Sequence, residues 1–133
     1  MTYPATRLFL ALSGAIGAVI GLCVLFIPHA FFASNNVTLG VDPNLLSEIR
    51  APGGTLLIAG AITIYGAIRT RFLRIALFIG AVLFSSYGVS RLVSLFLDGI
   101  PSSTLIGALM IELVFGAIAT FLTIKFSAAA PEH

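Results

Sequence analysis

Two charged residues, Arg91 and Glu112, stand inside otherwise apolar stretches of this chain, and any chemistry must be built around them. An ionised side chain at the middle of a bilayer costs about 2.5–3.5 kcal/mol on insertion scales, so each of the two requires a partner. Counting helical rise, Arg91 lies ~10 Å from Asp98 and Glu112 ~13 Å from Ser103, which sets them at similar depth on neighbouring antiparallel helices. A salt bridge between them is geometrically easy. Tyr87, Arg91, Ser94 and Asp98 share one helical face, while Ala108, Glu112, Gly116 and Thr120 make a small and polar stripe to oppose it. Glu48 and Arg50 enter from the same side. The candidate ligand-binding or structural polar cluster is therefore Glu48, Arg50, Tyr87, Arg91 and Glu112.

Such a cluster has two readings: a ligand, ion or proton site, or an ion-pair network that fixes helix register. Two acids and two bases nearly cancel, which suits mutual neutralisation. A close guanidinium also stabilises the ionised carboxylate, which ill suits a proton carrier. No catalytic residue is assigned. The sequence has no phosphate loop, nucleophile elbow or acid–base pair of recognisable spacing, and no cofactor is expected. Cys23 is the only cysteine and His29 a lone loop imidazole, so neither a disulfide nor a metal site is expected.

The elements that must position these residues follow from composition. The chain has 133 residues, 59% of them hydrophobic and only 9% charged, with a mean hydropathy of +1.12. Ordinary soluble domains carry roughly 25% charged residues. Seven Lys and Arg and five Asp and Glu cannot clothe so much apolar surface. Nor do the scattered basic residues form a nucleic-acid patch. Membrane lipids are the expected surroundings.

About 20 apolar residues cross a hydrocarbon core of about 30 Å, and four segments approach that length: 8–27, 51–68, 75–97 and 105–124. The first is read as a retained helix rather than a cleaved signal, because it is long and no small-x-small site follows. The second has a possible extension from residue 43, since Asp42 suits an N-cap, Pro43 a first helical position, and Leu45, Leu46 and Ile49 one apolar face. Pro52 is then expected to kink that helix. Asp98, Gly99 and Pro101 end the third span, with Ser102 or Ser103 capping the fourth. Residues 28–41 form the one long connection. Residues 127–133 are expected to be a flexible tail.

The expected fold is all-α: a single-domain integral membrane four-helix bundle over residues 1–133, up-down-up-down. Arg7, Arg69, Arg71, Arg74 and Lys125 collect on one side and only Arg50 lies near the other, so both termini are expected to be cytoplasmic. Gly14, Gly17 and Gly21 line the first span. They serve close packing inside the bundle or the docking of a second copy or a larger membrane complex.

Two stretches, Leu46-Ser47-Glu48-Ile49-Arg50-Ala51-Pro52-Gly53-Gly54 and Arg91 through Ser94 to Asp98-Gly99-Ile100-Pro101, carry a family resemblance. They resemble a family of small bacterial four-helix membrane proteins known only as a domain of unknown function, itself similar to the DoxX-like superfamily. The resemblance implies a bacterial inner-membrane location and a four-helix bundle, and it brings no activity or catalytic residue. The function expected is a non-enzymatic accessory subunit or a small-ligand or lipid-binding bundle. The alternative is an oligomeric small transporter or channel using Glu112. An enzyme acting on a lipid or quinone through Tyr87, Glu48 or Glu112 ranks behind both, for want of a cofactor motif.

Overall fold

The computed structural model describes residues 3–128, and every regular element among them is helical. Five α-helices follow in order: α1 (Tyr3–Phe26), α2 (Pro28–Ser34), α3 (Pro43–Ile68), α4 (Leu73–Leu97) and α5 (Ser103–Ala128), with one 3-10 turn (Thr70–Phe72) before α4. α1, α3, α4 and α5 are long and apolar enough to cross a membrane. Of the tail expected at 127–133, Ser127 and Ala128 belong to α5, and 129–133 lie outside the described residues.

Local chemistry accounts for most boundaries. The side chain of Asp42 accepts from the backbone N–H of Asn44 at 3.0 Å and Pro43 opens α3, as its missing N–H permits. α3 then runs unbroken through Pro52 to Ile68. Gly99 adopts φ +98° just after α4, a conformation that suits glycine, and Pro101 follows it. The carbonyl of Ser102 accepts the N–H of Ile106, which makes Ser102 the N-cap residue of α5, yet its buried hydroxyl bonds to no described partner. The expected capping position is right; the expected side-chain bond is not made. One element was not expected: α2 starts directly after Ile27, with Pro28 in its first turn and Phe31 N–H bonded to the Ile27 carbonyl.

Packing divides the bundle into two close antiparallel pairs. In α1 and α3, Gly14 lies against Gly60 and Ile64 while Gly21 lies against Gly53 and Leu57, so the two helices run in opposite senses. A Cβ on Gly60 would sit 2.6 Å from the Gly14 carbonyl oxygen, so only glycine admits this approach. In α4 and α5, Gly88 meets Leu113 and Gly116 meets Ser85, again antiparallel. α4 joins the pairs by packing on α3, with Ala76 against Gly66. The glycine stripe of α1 is thus occupied by α3, and a partner helix docking there would have to displace it.

One end of the bundle is solid. Leu10, Ala67, Leu73, Ala76, Leu77 and Leu122 form a buried cluster, drawing together the ends of the helices that carry Arg7, Arg69, Arg74 and Lys125. Phe115 of α5 bridges Phe9 of α1 and Phe84 of α4 by edge-on ring contacts, with centroids 5.5 and 5.3 Å apart. Elsewhere the helices present apolar side chains outward, including Leu12, Val19, Phe78, Val89 and Phe121. Polar groups within the spans are satisfied locally: Ser13, Thr63 and Thr123 hydroxyls donate to carbonyls three or four residues earlier.

Candidate functional site

At the other end the helices part. Beyond the Phe9–Phe115–Phe84 ring contact, α1, α3, α4 and α5 surround a cavity of about 630 Å³, and α2 contributes Phe31, Phe32 and Ser34 to its wall. Phe84 belongs both to the ring cluster and to the cavity wall, so the aromatic cluster is the floor. The lining is chiefly apolar, with side chains such as Ile20, Val24, Leu56 and Leu83. Pockets for small molecules run from roughly 300 to 1,000 Å³ and are apolar with a few placed polar groups. This cavity meets both criteria.

Four of the five residues expected in the polar cluster line it: Glu48, Tyr87, Arg91 and Glu112. Arg91 and Glu112 form the expected ion pair, in which the Nε–H of Arg91 donates to both carboxylate oxygens, at 3.0 Å to Oε1 and 2.8 Å to Oε2. The pair is half sheltered, with the Glu112 side chain 14% and the Arg91 side chain 34% exposed. One helical turn from Arg91, on the same face, the Tyr87 hydroxyl makes no hydrogen bond within the described residues, and Glu48 is an exposed carboxylate on the first turns of α3. Further along α4, Ser94 donates to Asp98 at 2.8 Å, which uses up the two remaining polar groups of that face.

Arg50 is the exception. Its guanidinium donates to the backbone carbonyl of Leu25, near the C-terminal end of α1, and Arg50 does not line the cavity. The reason is the direction of α3: Glu48 and Arg50 are two residues apart, about 200° around a helix, so they cannot share a face. Arg50 instead meets the unsatisfied carbonyls and negative dipole end of α1. Arg7 does the same at the opposite end, donating to the Ala67 carbonyl at 2.5 Å and the Ile68 carbonyl at 3.2 Å.

Sequence reasoning missed the wall supplied by α2. Pro28 two residues after α1, followed by Phe31 and Phe32, was the available signal: a proline suited to a helix start and two aromatic rings needing burial. His29, in the same helix, lies 3.2 Å from the Gly40 carbonyl and ties α2 to the strand of chain that leads into α3. Among the described residues no group of three His, Cys, Asp or Glu is placed to hold a metal ion.

A protein-family profile described as "Domain of unknown function (DUF4345)" matches residues 5–123, which covers α3 and α4, most of α1 and α5, and every residue of the cavity wall. The chain belongs to this family. Membership extends the kinship beyond the two motif stretches to nearly the whole chain, while bringing no activity with it. No curated protein and no solved structure matches the chain.

Proposed function

We propose that this protein is a non-enzymatic, multi-pass membrane protein that binds a small apolar or lipid-like ligand in the cavity between its four long helices. The cavity itself carries this reading. It has the volume of a small-molecule site, an apolar wall, an aromatic floor, and a few polar groups, Glu48, Tyr87, Arg91 and Glu112 among them. Its service as an accessory subunit of a larger membrane complex is compatible with the same site.

The reading includes a disposition in the membrane. The bundle is up-down-up-down in a bacterial inner membrane, with the arginine-rich end and both termini cytoplasmic and the cavity in the outer half. Support comes from the crowding of Arg7, Arg69, Arg71, Arg74 and Lys125 at one end, following the tendency of basic residues to stay on the cytoplasmic side.

The test is native mass spectrometry of the protein purified in a mild detergent, compared with Ala108→Trp, which places an indole in the cavity wall. The parent is expected to carry a bound molecule that the variant has lost while remaining folded. A parent without bound molecules, or a variant that retains them equally, overturns the reading. Proton-coupled flux through liposomes that vanishes in Glu112→Gln would instead establish the transporter alternative.

A further inference from the structure

The polar groups of the cavity differ in how completely they are used. Arg91 spends only its Nε–H on Glu112; both terminal Nη groups lack an acceptor among the described residues. Within a bilayer, N–H groups without an acceptor are costly. One turn away, the Tyr87 hydroxyl also has no partner among the described residues, and Thr104 brings another hydroxyl to the wall. The unused capacity near Arg91 is therefore mostly for donating.

Charge decides what kind of acceptor fits. Arg91 is already matched by Glu112, and Glu48 adds a second carboxylate that is paired to no cation among the described residues. An anionic head placed against Arg91 would face the Glu112 carboxylate that shares the guanidinium, with Glu48 in the same wall. A cationic head would meet the Arg91 guanidinium, whose free donors it could not satisfy. An uncharged carbonyl accepts from Arg91 and Tyr87 without either repulsion.

Resting on the ligand-binding reading above, we infer that the ligand is an uncharged amphiphile with a carbonyl-bearing head. The carbonyl oxygen accepts from the free Nη groups of Arg91 and from the Tyr87 hydroxyl. The hydrocarbon part lies among Ile20, Leu56, Leu83 and Phe84. Hydroxyls on the head, where present, donate to Glu48. The ion pair thus acts as a positioned, charge-neutral donor rather than as an anion trap.

Three probes with the same twelve-carbon chain separate the possibilities: 1-lauroylglycerol, dodecyl phosphate and dodecylammonium. Each is titrated into the delipidated protein in a mild detergent, and binding is read by native mass spectrometry. 1-Lauroylglycerol is expected to bind at least tenfold more tightly than the two charged probes. Tyr87→Phe should weaken it about five- to tenfold, the effect of one lost hydrogen bond. Tyr65→Phe, at the basic end beside Phe72, should leave it unchanged. Preference for dodecyl phosphate or dodecylammonium, equal binding of all three, or indifference to Tyr87→Phe overturns the inference while leaving a ligand site standing. Failure of all three probes to bind overturns the ligand-binding reading itself.

Discussion

The carboxylate of Glu112 is held through one nitrogen of Arg91: both oxygens accept from Nε, and among the described residues the two terminal nitrogens of the guanidinium have no acceptor. Removing the acid leaves Arg91 within the span without its hydrogen-bonded counter-charge. Glu112→Ala is expected to destabilise the protein by about 1–3 kcal/mol, less than a fully buried pair would lose because Arg91 is partly exposed. The double variant Arg91→Met/Glu112→Leu should recover most of that loss. Unfolding midpoints in mixed micelles of the parent and these variants measure both effects, and a Glu112→Ala protein as stable as the parent would refute the structural role of the pair.

The α1–α3 contact makes a sharper steric prediction. A methyl group on Gly60 would press on the Gly14 carbonyl and the backbone of Ala18, whereas nothing lies within 4 Å of the corresponding position on Gly54. Gly60→Ala should cost about 1–3 kcal/mol through forced separation of the helices. Gly54→Ala, in the same helix, should be neutral or stabilising by up to about 1 kcal/mol. Equal effects at the two positions would contradict the packing.

Arg7 and Arg50 close the same helix pair from opposite ends, each donating to carbonyls at the other helix's C-terminal end. Arg7→Ala and Arg50→Ala should each cost about 1–2 kcal/mol, from lost charge-assisted bonds and lost interaction with a helix dipole. They share no partner. Their effects should therefore add in the double variant, and strong non-additivity in thermal unfolding would show that the two ends are coupled.

Orientation is tested by thiol labelling in a Cys23→Ser background. A cysteine at Ser103, at the cavity end, should react with a membrane-impermeant maleimide on intact cells. One at Thr70, in the arginine-rich turn, should react only after permeabilisation. The reverse pattern would invert the bundle and place the cavity on the cytoplasmic side.

The four long helices were legible because they depend on local quantities: runs of apolar residues, an N-capping Asp42 before Pro43, a Gly99–Pro101 stop. The Arg91–Glu112 pair was legible for a similar reason. Its members stand on consecutive helices joined by a tight turn, so depth could be counted from the turn. Arg50 was assigned wrongly because sequence proximity to Glu48 was taken for spatial proximity, when a helix turns two residues apart to nearly opposite faces.

What the sequence alone determined is therefore the membrane class, the four long helices and the one ion pair, all consequences of hydropathy and helical rise. Only the tertiary structure decided that the bundle is closed at one end by Phe9, Phe115 and Phe84, open at the other, and walled there by α2. The physical reason is that a cavity is the space left between helices. Its existence depends on how far apart residues such as Val24, Leu56, Tyr87 and Ile111 are held, and that separation is set by glycine contacts and ring packing elsewhere in the bundle.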